Sequence, residues 1–258
     1  MVSPSSPPRI IGHRGAAAHA PENTLAGFRK ARALGAHWVE FDVQATRDDR
    51  AVLLHDARLE RTTDGYGIAA DRSAGEIERL DAGRWFGPSF RGEKVPSLEA
   101  ALALLDELGL GAVIEVKAAP GDGPRTMRAT LAALDRCGAP ETFVLSSFDE
   151  AALAFAAAAA PAIPRALIVK SIPADWRARL ARLGAGALHA GERGIDAVTV
   201  REVASSCPLR VFTVNAPERA RALFAWGAAA VFTDRPDVII SALGHNSEPL
   251  APVRLVGE

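Results

Sequence analysis

The amino-acid sequence predicts an α/β protein that folds as one closed (β/α)8 barrel. Short β-branched or apolar runs alternate along the chain with alanine- and leucine-rich segments of helical spacing, as in parallel βα units. Glycines follow the helical segments at regular intervals, and 258 residues is a length that such barrels reach as a single unit. We therefore expect one domain over residues 1–258, with a small insertion after the third strand at about residues 56–96 and a loosely held tail at about 244–258.

Nine segments have the composition of strands, which is one more than the barrel needs. They are Arg9–Gly12, Trp38–Val43, Ala51–His55, Gly111–Val116, Thr142–Ser146, Arg165–Val169, Ala187–Ala190, Arg210–Val214 and Ala230–Thr233. Between the second and the third, the sequence "QATRDDR" leaves no room for a helix. Two explanations stay open: the third strand pairs without a helical crossover, or a short segment, with Ala187–Ala190 the foremost candidate, lies outside the barrel.

Helical spacing is clearest in seven segments that fall between the strands. They are Thr24–Leu34, Ser97–Leu108, Arg125–Arg136, Asp149–Ala159, Ala174–Leu183, Val200–Ser205 and Pro217–Trp226. Thr24 and Ser97 stand at N-cap positions. The predicted helix stops are Gly35, Gly109, Gly138, Gly184 and Gly227. The polar segment after the third strand, with "TTDGYG" and "WFGPSF", is instead typical of an insertion.

The composition is that of a soluble globular protein, with 48% hydrophobic and 24% charged residues and a net charge of -1. This balance gives no reason to expect binding to nucleic acid or to an anionic membrane. Cys137 and Cys207 lack metal-site spacing and are predicted to be small core residues. The alanine-rich window "AALAFAAAAAPAIP" is too short to span a bilayer, and "MVSPSSPPR" lacks the apolar stretch of a signal peptide. We therefore expect a cytoplasmic protein without membrane insertion, and its oligomeric state stays open.

Two carboxylates stand two residues apart in the second predicted strand. The alternation of side chains in "WVEFDVQ" places Glu40 and Asp42 on one face, and Val39, Phe41 and Val43 on the other. Because the apolar face packs against helices, the acids point into the barrel. Two such acids repel each other unless a cation or protons compensate, so the pair implies a hard cation with oxygen ligands.

The fourth strand repeats this arrangement in "VIEVKA", which places Glu115 and Lys117 on one face. Glu115 is a third candidate ligand, and Lys117 adds a positive charge at the same place. Inward acids also occur in barrels as buried salt bridges, and a lone pair favours that alternative. Two pairs, together with two histidines at strand ends, favour a functional site at the carboxyl ends of the strands.

Two of the six histidines follow predicted strands at that end of the barrel. His13 and His55 are suited to paired acid–base work near neutral pH. Arg14, next to His13, adds positive charge that suits a phosphate group. The remaining histidines, at positions 19, 37, 189 and 245, are expected to be solvated or packed.

Glycines flank the first of these histidines in "GHRG". Gly12 and Gly15 permit a tight strand-to-loop turn in which a Cβ would interfere. Further along, "PENT" ends on the N-cap Thr24. Glu22 and Asn23 either belong to this turn alone or orient the neighbouring site, and both alternatives stay open.

The sequence resembles the glycerophosphodiester phosphodiesterases of the cytoplasmic bacterial type. The matching motifs appear in the order of that family between Ile10 and Val238. They are "HRG" with "PENT", "VEFDVQATRDD", "VLLHDARLERTTDGYG", "LDAGRWFGPSF", "VPSLEAAL", "IEVK", "SSF", "FTVN" and "TDRPD".

This resemblance implies a TIM-type barrel with the family's insertion and a divalent cation held by Glu40, Asp42 and Glu115. It also implies His13 and His55 as the catalytic acid–base pair. Arg14 and Lys117 would contact the phosphate. The implied cation is Mg²⁺ or Ca²⁺, with Mn²⁺ a further option for an all-oxygen site.

The reaction implied is cleavage of a small-molecule glycerophosphodiester to sn-glycerol 3-phosphate and an alcohol through a cyclic phosphate. The sequence has Phe212 where that family commonly has tryptophan at the substrate. Phenylalanine keeps an apolar face but is the weaker cation–π partner, which bears on the preference for a choline headgroup. Two other functions stay open: a lysophospholipid or sphingomyelin phosphodiesterase, and a non-catalytic phosphate-binding barrel.

Overall fold

The computed structural model describes residues 9–119, 121–137 and 143–243. The predicted tail from residue 244, His245, the helix stop Gly138 and the first residue of the predicted strand Thr142–Ser146 lie outside these ranges.

Eight parallel strands close into a TIM-type barrel, as the sequence predicts. They are β1 (Ile10–Gly12), β2 (Trp38–Ala45), β4 (Gly111–Val116), β5 (Phe143–Ser147), β6 (Arg165–Val169), β7 (Ala187–Gly191), β8 (Leu209–Phe212) and β9 (Ala230–Thr233). β1 pairs with β2 on one side and with β9 on the other, where Gly12 lies opposite Thr233, and this pairing closes the cylinder.

The ninth strand, β3 (Ala51–Leu53), pairs antiparallel with β2, with Val43 opposite Leu53. The link between β2 and β3 is too short for a helical crossover, so the chain turns back on itself. The suspicion that Ala187–Ala190 lies outside the barrel was therefore wrong, because β7 pairs in parallel with both β6 and β8. The excess strand is β3, the one predicted to pair without a crossover.

Nine helices belong to the described residues. They are α1 (Leu25–Ala33), α2 (Ala74–Ile77), α3 (Leu98–Leu108), α4 (Gly123–Cys137), α5 (Glu150–Ala159), α6 (Trp176–Leu183), α7 (Ala197–Ala204), α8 (Pro217–Trp226) and α9 (Pro236–Leu243). The hydroxyls of Thr24 and Ser97 accept hydrogen bonds from the first turns of α1 and α3, which confirms both N-caps. The short α2 and the last helix, α9, were not predicted.

The insertion between β3 and α3 has a small core of its own. Val52, Leu59, Ile77 and Val95 are buried there together with smaller apolar residues. Two 3-10 turns, Ala69–Asp71 and Pro88–Phe90, complete the segment. The insertion is therefore packed structure and carries rigid side chains towards the barrel.

The apolar side chains of β2 pack in two separate clusters, as the alternation of its side chains predicts. Val39, Phe41 and Val43 pack outward in the large cluster under the helices, whereas Trp38 joins the cluster inside the barrel. Above this inner cluster the inward positions of β2 and β4 are acidic. The barrel thus has a largely apolar inner cluster and an acidic upper end, where the strands terminate.

Cys137 is exposed at the end of α4 and Cys207 is half-buried. The prediction that both are core residues was therefore wrong for Cys137, because the last turn of α4 reaches the surface. Among the described residues, no helix combines the length and the apolarity needed to cross a membrane.

Candidate active site

The turn after β1 presents His13 and Arg14 at the barrel mouth. A Cβ on Gly12 would lie 2.1 Å from the carbonyl oxygen of Gly15, and Gly15 has a φ of +91°. Both glycines are therefore required for the turn, as predicted. The turn is secured across the barrel, where the backbone N–H of Arg14 donates to Glu40 Oε2 at 3.0 Å.

Three carboxylates converge inside the mouth. Glu40 and Asp42 come from β2 and Glu115 from β4, where it lies directly opposite Asp42. One oxygen from each lies within 4.8 Å of the others. Glu40 and Asp42 are buried, and 12% of the Glu115 side chain is exposed. These residues form an acidic triad of a kind that can bind a metal ion.

Burial and mutual repulsion hold this triad partly protonated where no cation balances it. Burial, followed by the charges of Asp42 and Glu115, raises the pKa of Glu40 well above its usual range. Burial and the charge of Asp42 raise the pKa of Glu115 to about 7. Burial also raises the pKa of Asp42, but the charges of Lys117 and Arg14 outweigh it and lower the pKa overall.

Two cations face the triad. Lys117 Nζ lies 3.3 Å from Asp42 Oδ1 and 2.5 Å from Glu115 Oε1. Arg14 Nε lies 3.2 Å from Asp42 Oδ2. The structure therefore places both predicted cationic residues against the predicted acids, where they can meet an anionic ligand.

Asn23 holds Asp42 from the side of the first loop. Its Nδ2 donates to Asp42 Oδ2 at 2.9 Å, and its Oδ1 accepts from the backbone N–H of Asp42 at 3.1 Å. The sequence left the role of Asn23 open. The structure shows that this buried amide fixes the orientation of one acid of the triad.

His13 is oriented by a carboxylate that sequence reasoning missed. Its Nδ1 lies 2.6 Å from Asp234 Oδ1, while its Nε2 points into the site, 3.9 Å from Glu40 Oε2. Burial raises the pKa of Asp234, but hydrogen bonds from His13 and Asn215 lower it overall. Asn215 Nδ2 donates to Asp234 Oδ2 at 2.7 Å. The signal for this pair lay in the motifs "FTVN" and "TDRPD" after the last two strands.

His55 has a matching arrangement on another loop. Its Nδ1 lies 2.5 Å from Asp56 Oδ1, and Asp56 in turn accepts from Arg61 Nε at 2.5 Å. The hydrogen bond from Arg61 is the main reason that the pKa of Asp56 falls to about 2. Burial, with the charges of Arg14 and Lys117, lowers the pKa of His55. Sequence reasoning named neither Asp56 nor Arg61 as a partner, although both lie in the quoted motif that contains His55.

Glu22 connects the two halves of the site. It accepts from Arg14 Nη1 at 2.8 Å and also from Arg61. These bonds outweigh the effect of burial and lower the pKa of Glu22. The open question about Glu22 is thereby answered: its carboxylate orients both arginines.

Phe212 lines a small inner cavity of about 30 Å³ together with His13, Glu40 and Glu115. The ring of Phe212 stands edge-on to Phe148, with the ring centroids 6.1 Å apart. The structure thus brings together all the predicted site residues at the carboxyl ends of the strands: seven by direct contact or a shared cavity, and His55 through Asp56, Arg61 and Glu22.

The other histidines of the described residues lie outside this group of site residues. His19 pairs with Asp237 at 2.8 Å, His37 is exposed before β2, and His189 is buried against Arg210. A solvated or packed role was expected for each.

A TIM-type barrel whose mouth gathers an acidic triad, two cations and two carboxylate-paired histidines has the features of an enzyme active site. Residues 13–238 match the model of the Glycerophosphoryl diester phosphodiesterase family. The chain therefore belongs to that family.

Two relatives agree with this assignment. A glycerophosphodiester phosphodiesterase from Caldanaerobacter subterraneus subsp. tengcongensis is 31% identical over 238 residues, which are 90% of this chain and 96% of the relative. A phosphodiesterase from Oleispira antarctica, solved in complex with the product sn-glycerol-3-phosphate, is 36% identical with a TM-score of 0.88. That comparison covers 92% of this chain and 96% of the other.

Proposed function

We propose that this protein hydrolyses glycerophosphodiesters to sn-glycerol 3-phosphate and an alcohol, with a divalent cation and two histidines. The observation that carries the proposal is the pairing of each histidine with a carboxylate through Nδ1, next to an acidic triad faced by two cations. An ionised Asp accepts the Nδ1 proton and leaves Nε2 free to exchange a proton with a reacting group. The Oleispira antarctica relative binds the product proposed here.

The acidic triad fits a divalent cation. Glu40 Oε1 is buried and accepts no hydrogen bond from any described residue. The donor set is entirely oxygen, which suits Mg²⁺ or Ca²⁺ and, less specifically, Mn²⁺. Glu40, Asp42 and Glu115 would hold the ion, which when bound offsets the negative charge of the phosphate.

Arg14 and Lys117 would bind the phosphoryl oxygens that the cation does not reach. Glu22 and Asp42 hold these cations in place before the substrate arrives. The ring of Phe212, edge-on to Phe148, offers an apolar surface for the glycerol carbons.

The histidines would divide the proton transfers of two successive steps. In the first, one imidazole takes the proton of the glycerol 2-hydroxyl as that oxygen bonds to phosphorus, and the other protonates the departing alcohol. The product is a cyclic phosphate. In the second step water attacks phosphorus, the ring oxygen leaves, and the two histidines exchange their roles. Burial and the nearby positive charges lower the pKa of His55, which favours its neutral form and so the role of base in the first step.

Replacement of either histidine tests this proposal. We expect His13→Ala and His55→Ala each to lower the release of sn-glycerol 3-phosphate by at least about a hundredfold, with an unchanged circular dichroism spectrum. The exposed His37 supplies the matched control, and His37→Ala is expected to keep full activity. Chelation should abolish turnover, and addition of Mg²⁺, Ca²⁺ or Mn²⁺ should restore it. Full activity of the double histidine variant would contradict the mechanism.

Three further expectations accompany this function as proposals. Residues 1–258 form one catalytic domain, the substrate is a small molecule rather than nucleic acid, and the protein acts in the cytoplasm.

A further inference from the structure

His13 also lines a second, larger cavity. It has a volume of about 400 Å³ and lies between the loop after β1 and the insertion. Its lining includes His13, Arg14, Trp85, Phe86 and Arg235. We call it the outer cleft. His13 also lines the inner cavity with Phe212, so this histidine separates two spaces that differ in size and chemistry.

A glycerophosphodiester carries two groups on its phosphate, glycerol and an alcohol. The inner cavity and the outer cleft, which both adjoin His13, can each take one of them. The inner cavity is small and lies against the acidic triad, next to the ring proposed to hold the glycerol carbons. The outer cleft is open and large enough for an alcohol of variable size. We propose that the leaving alcohol occupies the outer cleft and that this cleft favours a polyol, such as inositol or glycerol, over a quaternary ammonium such as choline. This inference rests on the proposed function and adds the class of alcohol.

The aromatic side chains of the outer cleft are held by contacts within the insertion. Trp85 is 42% exposed, yet its Nε1 donates to the carbonyl of Ala82 at 2.8 Å. Phe86 stands edge-on to Trp85 at 5.6 Å and to Phe90 at 5.4 Å, measured between ring centroids. Because the indole N–H is already used, Trp85 contributes apolar ring surface to the outer cleft, and this surface can pack on the C–H groups of an alcohol.

The uncommitted charge in the outer cleft is positive. Both carboxylates that line it are engaged, Glu22 by two arginines and Asp234 by His13 and Asn215. Arg235 is exposed and forms no ion pair with any residue that the structure describes. A guanidinium donates well to hydroxyl oxygens but repels a quaternary ammonium, which has no hydrogen to donate and carries the same charge. Arg235 therefore selects for hydroxyl-bearing alcohols.

Steady-state kinetics on three substrates test the inference. The quantity to compare is kcat/KM for release of sn-glycerol 3-phosphate from glycerophosphoinositol, glycerophosphoglycerol and glycerophosphocholine. The wild-type protein is expected to prefer the first two. Arg235→Ala should lower kcat/KM for the polyol substrates about tenfold, and Trp85→Ala should lower it about fivefold. Arg235→Ala should not lower the value for glycerophosphocholine, because a quaternary ammonium accepts no hydrogen bond from a guanidinium and carries the same charge. Trp85→Ala should lower the value for all three substrates, because an indole ring can pack on a polyol or on a quaternary ammonium.

Matched controls use exposed residues outside the outer cleft. Arg201→Ala removes an exposed arginine of α7, and Tyr66→Ala removes an exposed ring of the same insertion. Neither is expected to change the preference between substrates. An equal loss on all three substrates in Arg235→Ala, or a wild-type preference for choline, would overturn the inference. Failure of the proposed function itself would look different, because the wild-type protein would then release no sn-glycerol 3-phosphate from any of them.

Discussion

Arg61 donates two hydrogen bonds to Glu22, from Nη1 to Oε2 at 2.8 Å and from Nη2 to Oε1 at 2.7 Å. The same Glu22 accepts from Arg14, and the same Arg61 donates to Asp56, which holds His55. One buried carboxylate thus links the arginine proposed to bind phosphate to the histidine proposed to transfer protons. Such outer partners keep reacting groups in place.

Arg61→Gln is therefore expected to lower kcat by about tenfold to a hundredfold. The variant leaves His55 and Asp56 intact but removes the guanidinium that donates hydrogen bonds to both Asp56 and Glu22. The measurement is kcat and KM as a function of pH, and the limb of the profile due to His55 should shift as Asp56 loses its cationic partner. Arg58 lies in the same segment, is exposed and pairs with Glu60 outside the site, so Arg58→Gln is the matched control. An unchanged kcat and pH profile in Arg61→Gln would show that the link is structural only.

In the presence of a chelator, Glu115→Gln is expected to raise the stability of the folded protein, and this gain over the wild-type protein should increase with pH. The folded protein raises the pKa of Glu115 from 4.5 to about 7, so it binds this proton more tightly than the unfolded chain does. Ionisation of Glu115 therefore lowers the free energy of unfolding of the wild-type protein as the pH rises from 4.5 through 7. The loss from this group is on the order of 3 kcal/mol. Glutamine cannot ionise, so the difference in Tm between the variant and the wild-type protein should grow between pH 5 and pH 8.

Thermal unfolding in the presence of a chelator measures this difference. Addition of Mg²⁺ or Ca²⁺ should raise the Tm of the wild-type protein but not that of Glu115→Gln. Glu99→Gln supplies the control. Burial raises the pKa of Glu99, but hydrogen bonds, first that from Arg136, lower it overall, so its contribution to stability is lost only as the pH falls below the ordinary value of 4.5. A Tm difference for Glu115→Gln that is constant with pH would refute the interpretation of the acidic triad.

Gly12→Ala is expected to destabilise the protein by about 3 kcal/mol, which lowers Tm by roughly 5–10 °C. The added methyl group would meet the backbone carbonyl oxygen of Gly15, which no side-chain rotation can relieve. Gly87 has extended backbone with open space around its Cβ position, so Gly87→Ala should change Tm by less than about 2 °C. Similar Tm values for the two variants would mean that the turn after β1 tolerates a side chain.

Phe212→Ala is expected to raise KM for every glycerophosphodiester by a similar factor of about fivefold to tenfold. The ring lies in the inner cavity, apart from the outer cleft, so its loss should affect the glycerol arm that all substrates share. Phe155, a half-buried ring on α5 under Arg128, serves as the control. A loss confined to glycerophosphocholine would place the headgroup at Phe212 instead.

Local patterns in the sequence by themselves determined the fold class and most of the site residues. Side-chain alternation in β2 and β4 is set by the backbone of a single strand, so Glu40, Asp42, Glu115 and Lys117 could be assigned to the barrel interior from spacing alone. Caps and stops are equally local, which is why Thr24 and Ser97 were identified correctly. The fold class followed from the repeated alternation of these units.

Tertiary structure decided which distant groups meet. Asp234 lies 221 residues from His13 in sequence, and Arg61 lies 39 from Glu22, so no local pattern could pair them. The place of β7 in the barrel likewise depended on closure of the whole sheet. Sequence therefore determined which chemical groups the strand ends carry. The closed barrel determined which partner orients each group, because burial and hydrogen bonding between loops exist only once all eight strands are in place.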